Sequence, residues 1–207
     1  MGRKTKITRE MILQAAYELL EEAGIGAVAI KSIAQKLNCS TQPISWQFGS
    51  MMELKKELYM YAGQKVFEAL PALMQNQDPL KAFFISGVYY ISVACDHPNV
   101  FRFINVDNLM ETIGEEIRGE NSVLSMTFDN MGVQQLVAAY PVPEEKIRKT
   151  VKDIVIYTHG LAVMMMWDNF RMPRKEACRM VFDVGVTMLR EIGIERKDFR
   201  FEDAYTE

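Results

Sequence analysis

Residues 30–54 read IKSIAQKLNCSTQPISWQFGSMMEL, a pattern of two short helices joined by a tight turn. Ile33 and Leu37 recur at helical spacing, and Asn38 then offers a residue that tolerates the left-handed backbone of a turn. Pro43 falls in the first turn of the next helix, where a missing N–H does least harm. These residues predict a helix-turn-helix; a plain helical hairpin within a core is the alternative.

The second of these helices has an outer face suited to reading bases. Ile44 and Phe48 are four residues apart and are predicted to face inward, which leaves polar and aromatic side chains outside. Gln pairs bidentately with adenine, and Thr or Pro carbons contact a thymine methyl group in the major groove. The DNA contacts predicted on and around this helix are Lys31, Ser40, Thr41, Gln42, Pro43, Ser45, Trp46, Gln47 and Lys55.

Upstream lies an amphipathic helix preceded by a basic arm. Residues 8–23 carry one apolar stripe, with Thr8 as the predicted N-cap and Gly24 as the predicted C-terminal stop. The arm residues Arg3, Lys4 and Lys6 are predicted to contact phosphates or the minor groove. Residues 1–56 carry a net charge of +3 although the whole chain is at −3. A basic start on an acidic remainder is a common layout for a nucleic-acid-binding segment, and a chance fluctuation of three charges is an equal alternative on charge alone.

The remainder of the chain reads as further helices. Apolar stripes predict helices over 51–70 (ended or kinked by Pro71), 79–95, 100–109, 121–139, 144–169 and 174–192. We expect an all-α fold with a helix-turn-helix domain at 1–50, a larger helical domain at 51–194 and a flexible tail at 195–207.

Composition excludes several other classes. The 207 residues are 49% hydrophobic and 25% charged, with only 12 Gly and 7 Pro, which excludes a disordered chain and disfavours a turn-dense β fold. Three widely spaced Cys and two His predict no disulfide framework, metal site or cofactor. No hydrolase elbow, P-loop or dinucleotide fingerprint is found, so we expect no enzyme. Free thiols and the lack of a targeting or membrane segment predict a cytoplasmic protein.

Residues 8–54 resemble the N-terminal domain of the TetR family of bacterial transcriptional regulators. The resemblance rests on Ala23-Gly24, Ile33-Ala34, Leu37-Asn38-Cys39-Ser40 and Phe48-Gly49-Ser50, followed by Leu54 at the start of a long fourth helix. It implies a homodimer that pairs through the last two long helices and binds a palindromic operator on double-stranded DNA. Ser45 and Met51 replace the Tyr and Lys that usually contact phosphates in this family.

The resemblance also implies a small-molecule effector in the helical domain. Met and aromatic residues are abundant there and suit an adaptable apolar pocket, although such stripes are more often ordinary core. The residues named as ligand contacts are Phe83, Tyr90, Phe103, Met126, His159 and Met165.

The sequence therefore predicts a sequence-specific DNA-binding regulator, a repressor in most relatives, whose affinity for DNA a small and largely apolar ligand modulates. Two alternatives stay open. One is a related dimer that has lost strong DNA binding and works through ligands or proteins, which Ser45 and Met51 favour. The other is an unrelated helical enzyme or carrier.

Overall fold

The computed structural model describes residues 7–113, 131–167, 169–170 and 172–205, and these form helices with no strand among them. The predicted all-α fold is confirmed. No helix of the described residues has the length and apolar character needed to cross a membrane.

The first helix, α1, runs Arg9–Ala23 and is capped as predicted. The Thr8 side chain accepts a hydrogen bond from the Met11 N–H, which satisfies one donor of the first turn. Gly24, with a φ of 76°, ends the helix and donates its N–H to the Leu20 carbonyl.

The two helices of the predicted helix-turn-helix follow. They are α2, Ile30–Lys36, and α3, Gln42–Phe48. Asn38 adopts a φ of 49°, which turns the chain between them. Thr41 occupies the N-cap position of α3 but makes no side-chain capping bond.

The fourth helix ends earlier than predicted. Helix α4 runs Met51–Phe67, and a short α5, Leu70–Met74, begins directly after it. Pro71 therefore lies in the first turn of α5 and does not terminate α4 itself. A proline is tolerated in a first turn, so the same residue is compatible with either boundary.

The central apolar helix α6 runs Pro79–Asp96, and two short helices follow it, α7 (Pro98–Asn105) and α8 (Leu109–Ile113). Most of α6 is buried, as its nearly uninterrupted apolar sequence predicts.

The last part of the chain contains α9 (Met131–Ala139), α10 (Glu144–Met165), α11 (Arg174–Glu191) and α12 (Phe201–Ala204). The first ten residues of the helix predicted over 121–139 lie outside the described residues. The segment expected to be a flexible tail contains α12, in which Phe201 is buried against the Phe182 ring.

Contacts divide the chain into two compact units. The first unit comprises residues 1–66 and 97–117, so α7 and α8 belong with α1 to α4; the second comprises residues 67–96 and 118–207. In the first unit, the Asn99 side chain donates to the Glu21 carbonyl (3.0 Å) and Nδ1 of His97 lies 2.5 Å from Oε1 of Glu21. A division by contacts does not test independent folding, so the boundaries after residues 50 and 194 stay predictions.

Candidate nucleic-acid interface

Helix α3 presents an uncharged polar face to solvent above two buried anchors. Ile44 and Phe48 are buried, as their spacing predicted. Trp46 is 83% exposed, although burial of an indole is strongly favourable. The fold therefore leaves this aromatic side chain available for a partner. The other exposed residues at and before α3 are Ser40, Thr41, Gln42 and Ser45.

Two side chains connect the end of α3 to neighbouring segments of the first unit. Arg9 of α1 binds Glu57 of α4 and donates to the main-chain carbonyl of Gln47. The Gln47 side chain donates in turn to the Ile7 carbonyl, at 3.0 Å. Gln47 was predicted to contact DNA, but its amide is engaged within the unit.

Several cations among the described residues of the first unit are paired with acids. Lys36 lies 3.1 Å from Glu18 and 2.9 Å from Glu22, and its hydrogen bonds to Glu22 and Glu18 raise its pKa. Lys56 lies 3.1 Å from Glu53. These pairs join helices or neighbouring turns and partly neutralise the two lysines for contact with phosphates.

Two lysines that were predicted to contact DNA make no ion pair among the described residues. In the described part of the chain, neither Lys31, exposed on α2, nor Lys55, half-buried on α4, makes an ion pair. Arg3, Lys4 and Lys6 lie outside the described residues. Pro43 is half-buried in the first turn of α3.

The predicted ligand residues separate into different parts of the molecule. Tyr90 and His159 meet in the second unit, where Oη of Tyr90 lies 2.8 Å from Nδ1 of His159. Burial raises the pKa of Tyr90 and lowers the pKa of His159, so both groups are neutral at pH 7. The ring of Phe67 stacks on Tyr90 at 6.4 Å.

The remaining ligand predictions do not join that pair in one place. Phe83 packs edge-on against Phe84 in the second unit, with ring centroids 5.4 Å apart, and Met165 is half-buried at the end of α10. Phe103 belongs to the first unit, where it packs against Tyr59. Met126 lies outside the described residues.

A cavity of about 240 Å³ in the second unit was not predicted. Apolar residues of α6, α11 and the segment after α11 line it, together with the charged residues Arg190, Glu195, Arg196 and Lys197. None of the predicted ligand residues lines it. The sequence signal that could have indicated this cavity is Phe199, which directly follows the charged residues 195–198. An aromatic side chain in a charged segment has an apolar surface to bury.

Exposed apolar side chains occur on α10 and just beyond its end. Ile156 of α10 is 60% exposed and Trp167, two residues after the helix, is 54% exposed, and Gly160 lies four residues after Ile156 on α10. A methyl group added at Gly160 would meet nothing within 4 Å. At Gly185 of α11 it would lie 2.6 Å from the ring of Phe84, so Gly185 serves a close approach inside its own unit.

Within the described residues, no group of three or more His, Cys, Asp or Glu side chains is placed to hold a metal ion.

Comparisons with known proteins agree with this arrangement. Residues 12–58 match the family model described as bacterial regulatory proteins, tetR family. No curated protein matches the chain significantly in sequence.

Solved structures share the fold along nearly the whole chain. A TetR-like transcriptional regulator from Rhodococcus sp. RHA1 has a TM-score of 0.64 at 15% identity, covering 94% of this chain and 100% of that one. A transcriptional regulator from the same organism gives 0.63 at 13% identity, with 92% and 100% covered. A TetR transcriptional regulator, also from Rhodococcus sp. RHA1, gives 0.57 at 13% identity, with 89% and 96% covered.

At these identities the structural likeness establishes the fold, while the match to the family model covers residues 12–58, the segment that contains α2 and α3. Residues 12–58 therefore match the tetR family of bacterial regulatory proteins, within a chain that shares the all-α fold of solved TetR-like transcriptional regulators.

Proposed function

We propose that this protein is a sequence-specific transcriptional regulator that inserts α3 into the major groove of double-stranded DNA. The observation that carries the proposal is the solvent-exposed polar face of α3, anchored from beneath by Ile44 and Phe48, within a segment that matches the family model. Gln42 and Thr41 lie on that face and have the chemistry to read adenine and thymine edges.

The proposal includes a homodimer formed by α10 and α11. Ile156 of α10 and Trp167 just beyond its end are apolar and exposed, and the exposed Gly160 of α10 allows a second helix to come close. A two-fold dimer places its two recognition helices about 34 Å apart, one turn of DNA. The operator is then an inverted repeat.

The proposal also includes a small, largely apolar effector. The second unit offers the neutral Tyr90–His159 pair beside Phe67, a polar anchor in an aromatic setting of the kind small-molecule sites use. Phe67, which stacks on Tyr90, is the last residue of α4, so a ligand held beside Tyr90 can shift α4 and change the separation of the recognition helices of the dimer. Such coupling is reciprocal and typically amounts to about 1–3 kcal/mol.

The test is selection of DNA. Purified protein is incubated with random genomic fragments at moderate salt, and the retained fragments are sequenced. We expect an enriched inverted repeat with half-sites about one turn apart. A retained pool without any enriched sequence contradicts the proposal.

A second candidate is a TetR-like dimer that binds ligands or proteins and has little affinity for DNA. Ser45 and Met51 favour it, because they replace two phosphate contacts, and so does the internal pairing of Lys36. This candidate predicts that DNA binding lacks sequence preference and disappears with modest added salt. Under either candidate the protein acts without catalysis or cofactor, and we place it in the cytoplasm.

A further inference from the structure

We propose that Arg9 is a positioning residue for DNA recognition: together with Glu57 it sets the angle at which α3 presents its outer face. This inference rests on the proposed DNA-binding function. It concerns a contact between the first turn of α1, the last turn of α3 and the second turn of α4.

The guanidinium of Arg9 makes three different contacts. Its Nε lies 2.8 Å from Oε2 of Glu57, and its Nη2 bonds the other oxygen of the same carboxylate. Its Cζ lies 4.2 Å from the centre of the Phe48 ring, and its Nη1 donates to the Gln47 carbonyl. Bidentate pairing fixes the plane of the guanidinium, and a flat cation stacks on an aromatic face. The hydrogen bond with Glu57 also raises the pKa of Arg9.

A second bond closes this arrangement. The Gln47 side chain donates to the Ile7 carbonyl at 3.0 Å, so the end of α3 is connected to the start of α1 from both directions. Ile7 directly follows the predicted basic arm in the sequence. The same contacts therefore hold the end of α3 beside the point from which the arm extends.

The need for such a contact follows from the size of α3. The helix has only seven residues, and helices this short depend on tertiary contacts for their order. Its buried side chains are Ile44 and Phe48, four residues apart on one side. Because these two side chains lie along one line, they do not by themselves fix the rotation of α3 about that line. The Arg9 guanidinium supplies a further contact, since it touches both the Phe48 ring and the main-chain carbonyl of Gln47.

Stability alone does not account for the pair. The side chains of Arg9 and Glu57 are 46% and 37% exposed, and exposed ion pairs contribute little to the free energy of folding. Glu57 also places a negative charge in the basic segment that is proposed to approach phosphates. Electrostatics by itself predicts that removing this charge strengthens DNA binding. A positioning role predicts that removing it weakens binding.

The experiment uses the full-length protein carrying Glu57→Gln, with Glu53→Gln as the matched control. Both variants remove one carboxylate from the same helix, but Glu53 pairs with Lys56 and makes no described contact with α3. Affinity is measured by fluorescence anisotropy on the duplex enriched from genomic fragments and on a scrambled duplex of equal length. We expect Glu57→Gln to weaken binding to the enriched duplex about fivefold, while leaving the scrambled duplex unchanged. Glu53→Gln is expected to bind both duplexes at least as tightly as the unmodified protein.

A second variant separates positioning from a direct phosphate contact by Arg9. Arg9→Lys keeps the charge but loses the planar bidentate geometry, so it is expected to lose affinity for the enriched duplex with an unchanged salt slope. A phosphate contact tolerates Lys. If Arg9→Lys or Glu57→Gln binds the enriched duplex as tightly as the unmodified protein does, the proposal is overturned. Thermal melts confirm that each protein is folded at the temperature of the assay. Failure of the unmodified protein to enrich any sequence instead overturns the proposed function.

Discussion

At the scale of single residues, Gly185 shows why a small side chain is needed inside the second unit. An added methyl group would lie 2.6 Å from Cε1 of Phe84, whose ring is confined by Phe182 and Phe199 at centroid distances of 4.9 and 5.5 Å. The Phe84 ring therefore has to shift against these packed neighbours to relieve the clash.

Gly185→Ala should therefore destabilise the protein. Overpacking costs about 1–3 kcal/mol, which outweighs the gain of up to about 1 kcal/mol from replacing a helical glycine. Urea denaturation measures the difference. Gly132→Ala in α9 is the control, because its added methyl meets nothing within 4 Å. Equal stability of the two variants would contradict the close approach at Gly185.

His159 makes stability depend on pH. Burial lowers its pKa from 6.5, so the unfolded chain takes up a proton at a pH where the folded protein does not. The stabilisation is fully present above pH 6.5 and is lost as the pH falls from there through the lowered pKa of the folded state. In urea titrations, His159→Gln should lose less stability than the unmodified protein over this acid range. The control is Tyr90→Phe, which removes the hydrogen-bond partner but keeps the imidazole, and it should retain the loss of stability at acid pH. Identical dependence of stability on pH in His159→Gln and in the unmodified protein would refute the role of His159.

At the scale of elements, helix content followed from periodicity more reliably than helix ends did. The apolar spacing predicted α1, α2, α3 and α6 with their boundaries nearly correct, and at α1 the residues Thr8 and Gly24 also mark both ends. Pro71 was misplaced at the end of a helix because a proline suits the start of a helix as well as the residue beyond its end. Contacts distant in sequence, such as Arg9 with Glu57, leave no periodic signal at all.

The outer face of α3 is expected to determine base preference. Gln42→Ala should change the sequence enriched from genomic fragments at one position of each half-site, because Gln42 is exposed at the start of α3 and Gln reads adenine. Selection followed by sequencing measures this. An enriched motif identical to that of the unmodified protein would exclude Gln42 from base readout.

The apolar side of α10 is expected to hold the dimer together. Ile156→Glu should shift the protein from dimer to monomer in analytical ultracentrifugation, since it places a charge among apolar side chains. Val106→Glu is the control, because Val106 is also apolar and exposed but lies in the first unit. A variant at Ile156 that stays dimeric would locate the interface elsewhere.

At the scale of the whole molecule, net charge conceals how the cations are used. The chain has a net charge of −3 but contains the basic segment at residues 1–56. Within that segment Arg9, Lys36 and Lys56 are paired with acids. Sequence alone showed the excess of charge, but only the structure shows which cations remain free. The predicted ligand residues illustrate the same limit, because adjacency of Tyr90 to His159 could be found only by folding the chain.

The cations available to bind phosphates should therefore come largely from the basic arm, Arg3, Lys4 and Lys6. Reversing Lys4 and Lys6 to Glu is expected to weaken binding to the enriched and scrambled duplexes alike and to lower the salt slope by about 2. Anisotropy titrations over a range of salt concentrations measure both quantities. A loss confined to the enriched duplex would instead assign the arm to base readout.

The two-part composition of the first unit has a consequence for building chimeric regulators. Regulators are commonly recombined by joining one gene segment for DNA recognition to another for sensing. Here a junction after residue 66 would remove the Asn99 amide from the Glu21 carbonyl and the Phe103 ring from Tyr59. A graft of the first unit onto another protein must carry residues 97–113 with residues 1–66. The exchange therefore requires an insertion within the recipient gene as well as an end-to-end fusion.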